Sequence, residues 1–541
     1  MDIIDYFPFK TFRTKQKEIL TEFQDNWDSY DFFMLEAPTG FGKSAVAYTI
    51  AKWIQGERGG YSHILASNKF LQEQYLRDFD DIALVKGRSN FSCPRFVDRD
   101  CGNAPCTYIK NFRCSQKPYH KMANNAQVRD HHGQVYDWSK ATEPLCPYWI
   151  QKDDAVRSDL TIHNYHYYLY EQNLTAGAFN KRYLGVFDEA HMIEKILMDF
   201  TKTRLSRRSL NTIYKVIYPN DSLNFPRHDT AQEWVVWLRK LANSLINLGS
   251  QIEFKLRMEK TDRFSMIYLN TIEKVTNLAD NMDANPDQWV WDIDIDTIDF
   301  KPISIGDYSG YLFDHVEKKL LMSATILNDT TLKRFLGIKE DVYFCEVPES
   351  TFPVNNRPLY QKFIGKAVKY RLQDYLRDLV DTLDNDIIPT RLMDKGVIHT
   401  HTNDIAKYIM ERSKYSVNMT TTVGRDRETA IQNFFKSSSP RIMVSPSMTE
   451  GVDLMDDICR WQVITKIPYP YMGDKQVRAR MAQDRDWYNW QTIMTVIQTY
   501  GRGCRSATDW CDTIVTDSKF EDVIQANWKS LPKWFKEAIR V

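Results

Sequence analysis

Short, unbroken apolar runs recur along the chain, and each ends in a cluster of small, hydroxyl-bearing or acidic residues. Residues 32–35 (FFML), 184–187 (LGVF), 396–402 (GVIHTHT), 441–454 (RIMVSPSMTEGVDL) and 463–467 (VITKI) hold such runs. Short apolar runs without alternation predict strands buried on both faces, as in a parallel sheet covered by helices. The stretches between them have helical spacing. Residues 45–55 follow the first run as a helix, and residues 12–20 precede it as the start of another. Residues 61–80 predict a strand, a break at Ser67-Asn68 and a helix carrying Gln72 and Gln74. Residues 319–336 repeat the pattern, with the break at Ser323-Ala324-Thr325, and residues 513–516 form a last strand after a helix ending near Gln498. Strand, break and helix in alternation predict an α/β fold.

Two stretches depart from this rhythm. Residues 192–305 lack glycine-rich breaks, and 209–218, 231–254 and 264–279 each place apolar residues at i, i+3 and i+4, so a largely helical insert is expected there. Within it, residues 289–300 (WVWDIDIDTIDF) alternate apolar and acidic positions and predict one strand with an exposed face. The tryptophans at 234, 237, 289 and 291 are expected to pack, not to stack on bases. An irregular connection from Phe352-Pro353 to Arg357-Pro358 is expected to join two α/β units, the second starting near residue 340.

The second departure is residues 86–120, which hold seven Lys or Arg against two Asp and carry Cys93, Cys101, Cys106 and Cys114 among Phe91, Phe96, Tyr108 and Phe112. Cys146 follows in the phrase Leu145-Cys146-Pro147-Tyr148. So small an insert cannot build a large core and needs a staple. The spacings, 12 residues from Cys93 to Cys106, 7 on to Cys114 and 31 on to Cys146, contain no tight CxxC pair, which disfavours a zinc ribbon. Spread thiolates suit an iron–sulfur cluster, with zinc or no metal as the alternatives. The other four cysteines, Cys345, Cys459, Cys504 and Cys511, are scattered and read as core residues.

Composition adds little direction. The 541 residues allow three or four compact units, and 43% hydrophobic with 26% charged residues is the balance of a soluble globular protein. Lys+Arg and Asp+Glu are equal at 71 each, so a polyanion would have to meet a local basic patch. No apolar run reaches 18 residues and the N-terminus MDIIDYFPFK has no basic-then-apolar leader, so no membrane association is expected and the expected setting is cytoplasmic or nucleoid-associated.

The chemistry concentrates at two breaks. Residues 37–44 (Ala37-Pro38-Thr39-Gly40-Phe41-Gly42-Lys43-Ser44) form a phosphate-binding loop between a strand and a helix, although Ala37 stands where the general pattern has its first glycine. Small residues let backbone N–H groups close on phosphate oxygens, Lys43 neutralises the outer phosphates, Ser44 can hold Mg²⁺, and the helix dipole points at the same anion. Asp188-Glu189-Ala190-His191 ends the run at 184–187. Carboxylates at that strand end fit a metal-holding Asp188 and a water-activating Glu189.

These elements, in this order, resemble the superfamily 2 helicases, and more narrowly the iron–sulfur branch containing XPD and DinG. The phosphate loop, the DEAH box at 188–191 and Ser323-Ala324-Thr325 fall in one lobe; Glu450-Gly451-Val452-Asp453 and Gln498, Gly501, Arg502 and Arg505 fall in the other. The cysteine insert opens with Asn90-Phe91-Ser92-Cys93 and closes with Cys146-Pro147-Tyr148, as in the XPD group, and the helical insert matches that group's arch. The resemblance implies two RecA-like lobes of parallel sheet flanked by helices. Lobe 1 would be 1–90, 148–191 and 306–338, the cluster insert 91–147, the arch 192–305 and lobe 2 339–541. It implies ATP and Mg²⁺ bound by residues 37–44, Asp188 and Asp453, with Gln16 placed where many helicases keep a glutamine that reads adenine. Arg502 and Arg505 would reach the γ-phosphate from lobe 2, and Gln498 would position the phosphate or the water. A [4Fe-4S] cluster would be held by Cys93, Cys106, Cys114 and Cys146, with Cys101 spare or replacing Cys106. The implied activity is an ATP-dependent, monomeric DNA helicase moving 5′ to 3′ on single-stranded DNA and unwinding tailed or forked duplexes. An ATP-gated remodelling subunit and an RNA-directed DEAH-type enzyme are the alternatives.

Overall fold

The computed structural model describes all residues except 108–111, 113, 118–127, 130–134, 137–143, 175–178, 218–223, 260–261, 438–440, 447–453 and 541. Its frame is two seven-stranded sheets in which every neighbouring pair of strands is parallel. The first sheet runs in the order Val342–Glu346, Phe32–Glu36, Val316–Ser323, Arg182–Asp188, Ser62–Ala66, Leu160–Asn164 and Ala83–Val85. The second runs Met419–Thr421, Ile442–Ser445, Gly396–His399, Trp461–Ile464, Asp512–Asp517, Leu359–Gly365 and Ile539–Arg540. The apolar runs lie at the centre of these sheets, buried on both faces as their lack of alternation predicts.

Parallel pairing brings the breaks together. Glu36 is in register with Ser323, and Met322 with Asp188, so the phosphate loop, the Ser323-Ala324-Thr325 turn and the DEAH box emerge at the same edge. This is where open α/β sheets bind ligands.

The second lobe starts later than the sequence suggests. Val342–Glu346 pairs with Phe32–Glu36, Phe32 opposite Val342, and so completes the first sheet instead of opening the second. The boundary expected at 338–339 therefore moves past Glu346, into the irregular connection around Phe352 and Arg357.

The insert at 192–305 is built on two long helices, Ala231–Glu259 and Asp262–Ala284, but also contains a three-stranded antiparallel sheet. The alternating stretch expected as one strand is a hairpin of Trp289–Ile293 and Thr297–Pro302, closed by a hydrogen bond from Asp294 N to Thr297 O at 2.8 Å. Thr203–Ser206 is its third strand. Trp234 and Trp289 are buried in this insert's core with Phe300, as expected of packing residues.

The two lobes share one hydrophobic core. Helix Arg485–Tyr500 inserts Trp487, Trp490, Ile493 and Ile497 among Phe187, Leu321 and Ile326 of the first lobe. Trp490 donates its indole N–H to Ile326 O at 3.1 Å. Each such buried side chain contributes about 1.5–3 kcal/mol, so the lobes are held in register by more than their linker.

Candidate active site

The phosphate loop has the backbone its glycines permit. Gly40 and Gly42 lie at φ +85° and +88°, and a Cβ on Gly40 would fall 2.3 Å from the Phe352 ring. Ala37 departs from the glycine pattern without cost, because it is still part of the sheet ladder and donates its N–H to Ser323 O at 3.0 Å. Pro38 and Thr39 carry the chain into the turn, where Phe41 N donates to Pro38 O at 3.2 Å. Helix Lys43–Arg58 starts directly on Lys43 and Ser44, and Lys43 Nζ donates to Ala37 O at 3.0 Å, folded back over the loop. Gln16 is 1% exposed, with its amide Nε2 donating to Phe41 O at 2.7 Å.

Opposite the loop, Asp188 ends its strand buried, its carboxylate accepting from the Tyr75 hydroxyl at 3.1 Å and from Glu189 N at 2.9 Å. Burial, reinforced by the Glu189 charge, raises its pKa to about 6 against the pull of Lys43. Glu189 adopts φ +55°, a rare backbone state for a side-chain-bearing residue and one found at functional turns. Burial pushes the Glu189 carboxyl up, but His191, Lys43, Arg502 and Arg505 outweigh it and hold the pKa below the usual carboxylate range. Glu189 is therefore held in its ionised form.

A chain of side-chain contacts leaves this carboxylate. His191 Nδ1 lies 3.3 Å from Glu189 Oε2 and 2.8 Å from Ser323 Oγ. Ser323 Oγ lies 3.4 Å from Thr325 Oγ1, and Gln498 Nε2 donates to Thr325 Oγ1 at 2.6 Å. The cleft between the lobes, about 1500 Å³, is lined by Thr39, Glu189 and Thr325 on one wall and Gln498, Arg502 and Arg505 on the other. Asp453 and the neighbouring Glu450, Gly451 and Val452 lie outside the described residues.

The cysteines form a separate small core. Cys93, Cys101 and Cys146 are buried with Tyr148 and Trp149, and Cys106 packs against them half-buried. Cys101, expected to be the spare thiol, lies 3.9 Å from Cys146 Sγ to Sγ. Cys106 is instead 3.9 Å from the Arg88 guanidinium, and Cys114 Sγ lies 3.8 Å from Gln116 Oε1. Cys146 stands at the N-cap position of helix Pro147–Arg157. Its hydrogen bond with Cys101 lowers its pKa to about 6 against burial, aided by the N–H groups of Trp149 and Tyr148 and by Arg88. Among the described residues no three His, Cys, Asp or Glu side chains are gathered to hold a single metal ion.

Comparison with known proteins gives this geometry a family. The helicase C-terminal domain model matches residues 398–538, and the DEAD_2 model matches residues 68–210. The ATP-dependent DNA helicase YoaA of Haemophilus influenzae is 20% identical over 586 residues, covering 92% of this chain and 90% of its own. The ATP-dependent DNA helicase XPD of Sulfolobus acidocaldarius is 22% identical over 442 residues, covering 72% and 74%. A solved XPD helicase superposes with a TM-score of 0.67 at 15% identity, over 96% of this chain and 98% of its own. These domain matches and relatives support a superfamily 2 helicase of the XPD/DinG type.

With a DEAD_2 domain and a helicase C-terminal domain, the protein is an ATP-hydrolysing helicase. Among the described residues it has no helix long and apolar enough to cross a membrane.

Three further polar residues of this site escape sequence reasoning. Glu36 is 2% exposed and accepts the N–H of Leu327, just past the Ser323-Ala324-Thr325 turn. A carboxylate closing an apolar strand was its signal, since buried acids are rare without a partner. Glu194 accepts from Trp487 Nε1 at 2.7 Å and from Gln491 Nε2 at 2.8 Å, tying the helix after the DEAH box to the second lobe. Tyr75 reaches Asp188 across 113 positions of sequence, and nothing local announces it.

Proposed function

We propose that the protein hydrolyses ATP in the interlobe cleft and uses the cycle to move 5′ to 3′ along single-stranded DNA, separating tailed or forked duplexes. The observation that carries this reading is the charge environment of Glu189, influenced by Lys43 from its own lobe and by Arg502 and Arg505 from the other. A carboxylate faced by cations from both lobes is a hydrolytic centre that lobe movement can assemble or dismantle.

In this reading the loop 37–44 holds the triphosphate, with Lys43 on its outer phosphates. Ser44 and Asp188 would hold Mg²⁺, which supplies charge neutralisation at the transferred phosphate. Glu189 orients the attacking water and takes its proton. Arg502 and Arg505 stabilise charge on the γ-phosphate, a contribution worth roughly 10³–10⁵ in turnover where it has been measured in related chemistry. Gln498 senses the site through Thr325. Asp453 would complete the nucleotide contacts from the second lobe.

The thiols also fit a [4Fe-4S] cluster. Five of them fall in one small insert, one is biased toward thiolate at a helix N-terminus, and Arg88 and Lys117 bring positive charge to the same core. Cys93, Cys114 and Cys146 would hold it, with Cys101 or Cys106 as the fourth ligand. Such a cluster staples an insert too small to fold on its own core.

The test is turnover with single-stranded DNA, with single-stranded RNA and with no nucleic acid, alongside unwinding of a 5′-tailed and a 3′-tailed duplex. DNA-stimulated hydrolysis with opening of the 5′-tailed substrate is expected. Stimulation without unwinding would mean a remodelling subunit, stimulation by RNA alone an RNA-directed enzyme, and opening of only the 3′-tailed duplex the opposite direction.

A further inference from the structure

The connection between the lobes touches both of them within a few residues. It leaves the first sheet at Val347, whose N–H donates to Glu36 O at 2.8 Å, one residue ahead of the phosphate loop. Thr351 and Phe352 then pass over the crest of that loop. A Cβ on Gly40 would lie 2.3 Å from Phe352 Cζ and 2.9 Å from Thr351 Oγ1, so the connection occupies the space a side chain would take. The Phe352 ring is 8% exposed, and the Thr351 hydroxyl beside it is buried without a hydrogen-bond partner among the described residues.

Further along the connection, Arg357 is buried and fastens it to the second lobe. Its Nε donates to Phe352 O at 3.2 Å, and its Nη2 donates to Glu537 Oε1 at 2.5 Å. Its Nη1 donates to Trp534 O and faces the Tyr500 hydroxyl at 3.4 Å, while that hydroxyl donates to Arg357 O at 2.6 Å. Tyr500 is the last residue of helix Arg485–Tyr500, with Gly501 and Arg502 directly after it. Between the loop and this helix end lies a cavity of about 30 Å³, lined by Pro38, Thr39, Phe352, Tyr500, Gly501 and Cys504. It has room for no more than one or two waters.

The Phe352 carbonyl is thus held by the guanidinium that is locked to Tyr500, Trp534 and Glu537. The ring cannot stay over Gly40 if the second lobe moves away, and it cannot return without that lobe. Close-packed contacts of this kind are made or broken and do not stretch.

We propose that Phe352 is a positioning residue that makes the nucleotide affinity of the phosphate loop depend on where the second lobe stands, with Arg357 and Tyr500 carrying that position to it. The proposal rests on the nucleotide site proposed above and adds the regulation of that site. Seated on Gly40, the ring holds the crest of the loop in the backbone shape that receives phosphate. Lifted with the lobe, it frees the crest, and nucleotide is released. This path ends on the loop, whereas the contacts through Gln498 and Thr325 end on Glu189.

The test is the dissociation constant of a fluorescent ADP analogue for the full chain, measured in the wild type, Phe352→Ala, Phe352→Leu, Tyr500→Phe and the double variant of Phe352→Ala with Tyr500→Phe. Tyr500→Phe removes only a hydroxyl that bonds the connection and not the loop. It should weaken binding about fivefold and Phe352→Ala about tenfold, and the double variant should bind no worse than Phe352→Ala, because both changes break one path. Phe352→Leu keeps apolar bulk over Gly40 and should stay within about threefold of the wild type. Effects that multiply to about fiftyfold in the double variant would overturn the proposal, and so would wild-type affinity in either single variant. A partly unfolded variant lowers the number of binding sites and not their affinity. Amide hydrogen exchange gives a second reading: in Tyr500→Phe it should quicken at residues 38–42 together with 350–353. Faster exchange at 350–353 alone would mean that the ring does not govern the loop. If the wild-type protein binds no ADP analogue, the proposed nucleotide site itself fails; if it binds and the variants act independently, only this coupling does.

Discussion

Gln498 donates an amide N–H to the Thr325 hydroxyl at 2.6 Å, joining the last turn of a second-lobe helix to a turn of the first lobe. Through Ser323 and His191 the contact continues to Glu189, the carboxylate facing Lys43, Arg502 and Arg505. Removing the hydroxyl while keeping the shape should uncouple movement from chemistry. Thr325→Val is expected to keep DNA-stimulated hydrolysis within about threefold and to slow unwinding about tenfold. A double-mutant cycle with Gln498→Ala should then give an interaction of about 0.5–3 kcal/mol, as touching residues do. Additive effects on unwinding would show that the contact carries nothing.

Glu189 is kept ionised by four positive or polarisable neighbours although it is partly withdrawn from solvent. The amide of Glu189→Gln keeps the volume and loses the proton acceptor. Turnover should fall by about 10²–10⁴ while binding of a fluorescent ATP analogue is preserved, since loss of a general base costs that much without removing phosphate contacts. Lys43→Ala should instead weaken the nucleotide contact itself, so the two variants separate binding from chemistry. Equal loss of binding in both would deny Glu189 its role.

Much of this arrangement can be read from sequence where the signal is local. The loop 37–44 announces itself because Gly40 and Gly42 supply positive φ and the flanking strand and helix are short-range patterns. Glu189 follows from its place at the end of an apolar run. What fails is pairing over distance. Val342–Glu346 has the same apolar character as any lobe strand, and only its pairing with Phe32–Glu36 assigns it to the first sheet. Acidic residues alternate straight through Asp294 and Asp296, so no glycine or proline betrays the hairpin between Trp289–Ile293 and Thr297–Pro302. Gln16 reads equally well as a solvated helix residue. Its burial against Phe41 depends on the loop folding back over a helix 25 positions away.

The thiols offer a direct choice between Cys101 and Cys106. Cys101 is buried and lies 3.9 Å from Cys146, whereas Cys106 is less buried and faces Arg88. Depth and proximity favour Cys101 as a cluster ligand. In anaerobic preparations Cys101→Ser and Cys146→Ser should lose iron and visible absorbance, and Cys106→Ser should keep most of both. Iron retained by Cys101→Ser and lost by Cys106→Ser would reverse the assignment. Stoichiometric zinc in a colourless wild-type protein would remove the cluster altogether.

Glu36 gives the fold a pH dependence whose sign can be worked out. Burial pushes its pKa to about 8, the N–H groups of Leu327 and Ile326 pull it back, and Glu346 adds a like charge. A folded-state value above the unfolded 4.5 means that the native protein holds this proton more tightly. The resulting stabilisation is complete below about pH 4.5 and is lost as pH rises through about 8. At pH 9 the wild-type protein must fold around a buried carboxylate, at a cost of about 3 kcal/mol or more relative to pH 5. Glu36→Gln can still accept from Leu327 N and has no charge to bury. Denaturant melts at pH 6 and pH 9 should therefore find the variant gaining on the wild type as pH rises. Stability curves that stay parallel across that range would mean that Glu36 keeps an ordinary carboxylate pKa and that the turn after Thr325 relies on other contacts.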